Sequence, residues 1–219
     1  MEEHHRGLEA DHSSRREHAD KHADEADAVK EEMKVMNDLG YQYGVNIAQA
    51  FVRDPSIAEL SRIEAIIFGI SFIVGGWLLY ELLCSTAIVT NGPAIALCLT
   101  FGAAAASWAL TSLFSGRGAF IHLGAMIGTI MAGNVFRVII PSQRALVAAI
   151  EAGEELDPAW GAKAKLRSTH NNYFTLPILF IMISNHYPMT YAHTHNWLVL
   201  LVIIVITAYA RHFFNLRHR

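Results

Sequence analysis

The side chains best placed for chemistry lie on one helical stripe in the middle of the chain. His122, Met126, Thr129, Gly133 and Arg137 recur at steps of four, three, four and four residues, which puts them on one face of a helix. Gly124, Gly128 and Ala132 mark another face of that helix, a seam of small residues that lets a neighbour approach closely. A second stretch, Thr169 to Pro188, has polar groups at both ends of an apolar middle: His170, Asn171 and Asn172 before it, Ser184, Asn185 and His186 after it. Run antiparallel, the two segments bring His122 and His186 to one end of a bundle. Asn134, Arg137, Gln143, His170, Asn171 and Asn172 collect at the other. Two imidazoles on adjacent helices suit a b-type haem, or a metal ion with an open position, so His122 and His186 are the metal candidates. Two satisfied core histidines are the competing account. The opposite set offers a cation and amide donors to a planar, carbonyl-rich ligand such as a quinone or an oxidised purine. Interface hydrogen bonding with no ligand is the alternative there.

The elements that hold these groups read as membrane helices. The 219 residues are 53% hydrophobic and 17% charged, with the charge gathered at the front and in one loop, which points to a polytopic membrane protein rather than a water-soluble globule. The expected fold is all-α: a bundle of about five spans, each needing roughly 20 apolar residues, over residues 63–219. The spans are expected at about 63–89, 94–114, 119–140 (ended by Pro141), Thr169–Pro188 and 196–214. Ser56 to Glu59 has the form of a capping box opening the first. Pro177 lies inside the fourth, where it can kink the helix. Between the third and fourth, residues 141–168 form an interfacial loop with one amphipathic helix, Gln143 to Ala152, stopped by Gly153, and a turn at Asp157–Pro158.

Residues 1–62 form a charged, His-rich tail followed by an amphipathic segment from Leu39 to Arg53. The tail holds His4, His5, His12, His18 and His22; the last two, four apart, could share a metal on a helix, although a plain polar tail explains them as well. The first residues lack an apolar signal region, so the first span itself is expected to drive insertion. Cys84 and Cys98 sit in apolar segments without paired spacing and read as packing residues. Positive charge on Arg144, Lys163, Lys165, Arg167, Arg217 and Arg219 places the C-terminus in the cytoplasm and the tail outside. Nothing in the pattern calls for nucleic acid.

The third span, Gly116-Arg-Gly-Ala-Phe-Ile-His122 through Asn134-Val-Phe-Arg137 to Gln143, resembles part of the membrane domain of the bacterial membrane-bound urate oxidases. So does His170-Asn-Asn-Tyr-Phe-Thr-Leu-Pro177 with its continuation to Ser184-Asn-His-Tyr-Pro188. The likeness covers about Ser115 to Pro188, roughly a third of the chain. It implies an inner-membrane protein of purine breakdown that oxidises urate and passes electrons to a cytochrome. By motif position it places His122, Asn134, Gln143, His170, Asn171, Asn172, Asn185 and His186 around a shared site. Urate yields electrons readily once deprotonated, so that site needs anion stabilisation and a base. Arg137 and His170 are the catalytic candidates, with Asn134, Gln143, Asn171, Asn172 and Asn185 binding substrate. Members usually carry a C-terminal cytochrome c domain, but no Cys-x-x-Cys-His occurs here, so the electron acceptor is expected to be a separate cytochrome c or another membrane subunit. The competing function is a non-catalytic integral subunit that anchors haem or assists assembly of a respiratory or other membrane complex.

Overall fold

In the computed structural model, residues 27, 30–39 and 52–217 are described, and the chain divides into two units, Met1–Ala50 and Phe51–Arg219. In the first unit, residues 30–39 form an exposed helix. The tail histidines and nearly all of the amphipathic segment lie outside the described residues.

The described part of the second unit is mostly helical, with residues 53–61 and short connectors outside the helices. Helix α1 is Arg62–Cys84, followed by a short 3-10 turn, Ala87–Thr90. Helix α2 is Gly92–Leu113 and α3 is Gly116–Asn134; a π-helical turn, Val135–Ile139, runs from α3 directly into α4, Ile140–Ala152. Helix α5 is Pro158–Ser184, α6 is the short Pro188–Tyr191, and α7 is Asn196–Arg217. Helices Arg62–Cys84, Gly92–Leu113, the continuous Gly116–Ala152 and Asn196–Arg217 are long and apolar enough to cross a membrane. Helix α5 is not among those four: Arg167, His170, Asn171 and Asn172 make even its more apolar C-terminal part too polar.

Local sequence explains where the helices start. Ser61 caps α1 through a reciprocal box with Glu64, so the box lies five residues beyond the expected Ser56–Glu59. Ser56 instead donates its hydroxyl and amide to Asp54, and these bonds, the hydroxyl first, hold the Asp54 carboxyl below the usual carboxylate range. Asn91 caps α2, Ser115 caps α3 and Asp157 caps α5 with Pro158 in the first turn, as side-chain oxygens before a helix do.

The region between the third and fourth spans departs most from expectation. The third span does not end at Pro141, and 141–168 is not a loop. A proline inside an α-helix lacks an N–H donor and its ring crowds the carbonyl four residues back. Here the wider π turn ends just before it, and Pro141 enters α4 in the first turn, where its missing donor is tolerated. The helix therefore runs through for 37 residues, Gly116–Ala152. Gly153 ends α4 as expected, in a left-handed conformation (φ 68°) that suits glycine. Only residues 153–157 then separate α4 from α5, so Arg167 sits on a helix rather than in a loop.

Helix α3 is the centre of the bundle: 39% of its apolar window is buried, against 11% for α1 and α7. It packs against α1, α2 and α5, while α7 packs against α2 and α5. Leu110, Phe114, Phe120, Leu123, Ile181 and Leu200 close the core with no exposed surface. Large apolar side chains such as Leu79, Leu97, Phe101 and Tyr209 face outwards. Helices satisfy their own backbone groups, and an apolar outer surface is what a hydrocarbon solvent requires. The chain is an integral membrane protein.

Candidate functional site

Both faces expected on the third span exist, and both pack. The stripe faces α1: a Cβ on Gly69 would stand 2.6 Å from His122 Nε2, one on Gly76 would collide with the Met126 sulfur, and one on Gly133 would stand 2.5 Å from Trp77 Nε1. Arg137 continues the stripe, exposed, with its guanidinium 4.9 Å from the centre of the Trp77 ring. The seam faces α5, where Gly124 meets Met182 and Ile181, and Gly128 meets Ile178. Trp77 Nε1 is buried without a hydrogen-bond partner among the described residues.

Where α1, α3 and α5 meet, a polar cluster is enclosed. Asn134, fully buried at the last position of α3 before the π turn, is its hub. Its Nδ2 donates to Tyr80 Oη at 2.9 Å and to Asn171 Oδ1 at 2.8 Å, and its Oδ1 accepts from Arg167 Nη1 at 3.0 Å. Asn171 Nδ2 donates to the Met131 carbonyl at 3.0 Å. Tyr80 Oη lies 2.8 Å from His170 Nδ1. That oxygen also accepts from Asn134, and which of Tyr80 and His170 donates in their bond depends on the His170 tautomer. Arg167 forms a forked pair with Glu81, Nη1 to Oε1 at 3.1 Å and Nη2 to Oε2 at 2.9 Å, and its guanidinium carbon lies 5.1 Å from the Tyr80 ring centre. Tyr80, Arg167 and His170 are all buried. The bonds join residues 33 to 90 positions apart in sequence.

The structure thus brings together Asn134, His170 and Asn171 of the residues expected from sequence, and adds Tyr80, Glu81 and Arg167. Arg167 had been counted as a topogenic charge, yet Arg167, His170 and Asn171 follow the three-and-four spacing of one helix face. That spacing was the available signal. Tyr80 and Glu81, embedded in an apolar run, gave none beyond their polarity. The remaining candidates lie elsewhere. Gln143 is exposed on α4. Asn172 faces α7, accepting from Arg211 Nε and Asn215 Nδ2, both at 2.9 Å. Asn185 is buried at the end of α5 and donates to the Met182 carbonyl.

The two candidate metal ligands are placed differently. His122 Nδ1 is 2.7 Å from the Gly118 carbonyl, its ring stacks on Phe114 at 4.3 Å, and its Nε2 faces the Gly69 backbone. His186 is exposed just beyond α5. Both nitrogens of His122 are turned to protein, so the pair as placed does not fit a haem iron. Among the described residues no three His, Cys, Asp or Glu side chains are grouped to hold a metal ion.

Residues 38–219 match the model of the urate oxidase N-terminal family. The chain belongs to that family. The family match spans the whole helical bundle, well beyond the Ser115–Pro188 stretch that carries the visible motifs, and it includes Tyr80, Glu81 and Arg167. No curated protein and no solved structure gives a match.

Proposed function

We propose that this chain is a membrane-embedded redox protein of the inner bacterial membrane that oxidises urate, or a similar planar substrate, and passes the electrons to a separate cytochrome. The observation that carries this reading is the buried Tyr80–Asn134–Arg167–His170 cluster in a chain of the urate oxidase N-terminal family. A purine anion in hydrocarbon surroundings needs a cation and directed donors, and the cluster holds both. Arg167 supplies the charge, and the His170 imidazole beside Tyr80 supplies a ring nitrogen that donates or accepts according to its tautomer. Arg137, over Trp77, is an outer positive group.

In the reaction proposed, urate loses two electrons and a hydroxyl group from water adds to a ring carbon, with two protons released. Two one-electron acceptors, such as two ferric cytochromes c, take the electrons. The His170 imidazole, hydrogen-bonded to the Tyr80 hydroxyl, takes up one of the two protons and water takes the other. The test is urate consumption and cytochrome c reduction by detergent-purified protein, in the stoichiometry of two cytochromes per urate. Absence of both sinks the substrate assignment. One observation favours a second reading: within the cluster the polar atoms of Asn134 and Asn171 are met by the chain itself, as a purely structural core would have them. An integral subunit of a membrane complex would co-purify with stoichiometric partners and show no urate turnover.

A further inference from the structure

We infer that Glu81 is an exchangeable internal anion, occupying the forked edge of Arg167 that a planar monoanion with two adjacent acceptor atoms takes over when it binds. The identity of that monoanion as urate rests on the proposed function. The exchange itself rests on how the pair is held.

Arg167 is anchored independently of Glu81. Its Nη1 donates to Asn134 Oδ1 at 3.0 Å and its plane lies over the Tyr80 ring, so the guanidinium stays in place when the carboxylate leaves. Among the described residues the two Glu81 oxygens accept hydrogen bonds from Arg167 alone, at 3.1 and 2.9 Å, and Glu81 stands in the last turn of α1. Exposure separates the two partners: the Glu81 side chain is 25% exposed and that of Arg167 is 7% exposed. The carboxylate is therefore the member that can swing out, and the cation is the member that cannot. Once it swings out, Nη1 and Nη2 present two parallel N–H groups, a geometry that selects a carboxylate or the N–C=O edge of a purine anion over a round ion. A buried guanidinium left bare is strongly disfavoured, so opening is coupled to arrival of the replacement anion. His170 is linked to Arg167 through Tyr80 and Asn134.

The test is calorimetric binding of two probes, urate and benzoate, to the full chain in detergent. Benzoate carries a forked anion on a flat ring and is not oxidised. Removing the internal competitor frees charge-assisted bonds to Arg167, so Glu81→Gln is expected to bind benzoate about 10- to 100-fold more tightly than the unaltered protein. Glu81→Asp keeps the charge but is one methylene too short to hold both nitrogens, and it should show a smaller gain. That variant carries the comparison if Glu81→Gln does not fold. The double variant Glu81→Gln/Arg167→Gln should lose the gain. Benzoate affinity unchanged in the single variants, or a gain that survives in the double variant, overturns the exchange. Tighter benzoate binding without any urate binding keeps the exchange and overturns urate as the substrate. Urate turnover in the unaltered protein, with no gain in either Glu81 variant, does the reverse.

Discussion

The two ends of the bundle treat their polar side chains in opposite ways. At the end holding Asn134, partners come from other helices: Tyr80 from α1, Asn134 from α3, Arg167, His170 and Asn171 from α5. At the end holding His122 and Asn185, three side chains bond a carbonyl of their own or the adjoining turn: His122 to Gly118, Asn185 to Met182, and Thr190 to Ser184 and Tyr187. A side chain satisfied by its own helix needs no neighbour and fixes none. A side chain satisfied across helices ties their rotation and depth together, and it concentrates charge where water is scarce. The first kind of polarity is local, and the second kind couples three helices.

The largest effect expected from this contrast is at Arg167. Arg167→Met leaves Glu81 without its counter-charge and Asn134 Oδ1 without its donor, and breaking a buried pair in this way costs about 3–5 kcal/mol. Chemical unfolding in mixed micelles should show it, and urate turnover should vanish. The α1–α3 contact gives the next pair of substitutions. Gly69→Ala drives a methyl group into His122 and should cost about 1–3 kcal/mol, whereas Gly75→Ala meets nothing within 4 Å and should be close to neutral. Equal effects at the two glycines would mean that α1 does not pack on the stripe. Tyr80→Phe removes one hydroxyl and strands both an Asn134 donor and His170 Nδ1, for about 1–3 kcal/mol. Its more telling readout is turnover, which should fall further than stability does. The smallest effect belongs to the other end: His186→Ala, at an exposed position, should stay within about 0.5 kcal/mol and leave turnover intact. A reduced-minus-oxidised visible spectrum checks the same contrast. A haem band abolished by His122→Ala or His186→Ala would reverse the assignment of the two ends.

Much of the architecture was legible from sequence because it depends on local rules. Apolar runs of sufficient length, a proline or asparagine at a helix start, glycine after a helix end, and small residues spaced by four all act within a turn or two. Gly124 and Gly128 meet α5, and Gly153 ends α4, as those rules require. The failures share a cause. Pro141 reads as a stop only if the turn before it is α-helical, and the π turn at Val135–Ile139 removes that condition. Charged Lys163, Lys165 and Arg167 read as loop because hydropathy ignores partners, whereas Asp157 starts a helix that carries Arg167 inwards and leaves the two lysines exposed.

By itself the sequence determined an all-helical membrane bundle, the two distinct faces of α3, and the end of the molecule where most of the amide and cationic candidates were expected. Tertiary structure alone decided which of those groups touch. Glu81 and Arg167 are 86 residues apart, and Tyr80 and His170 are 90 apart. No pattern within a helix specifies the rotation of one helix against another. That rotation is set by close approach at Gly69 and Gly76 of α1 and at Gly124, Gly128 and Gly133 of α3, and it turns Asn134 towards Tyr80, Arg167 and Asn171 together.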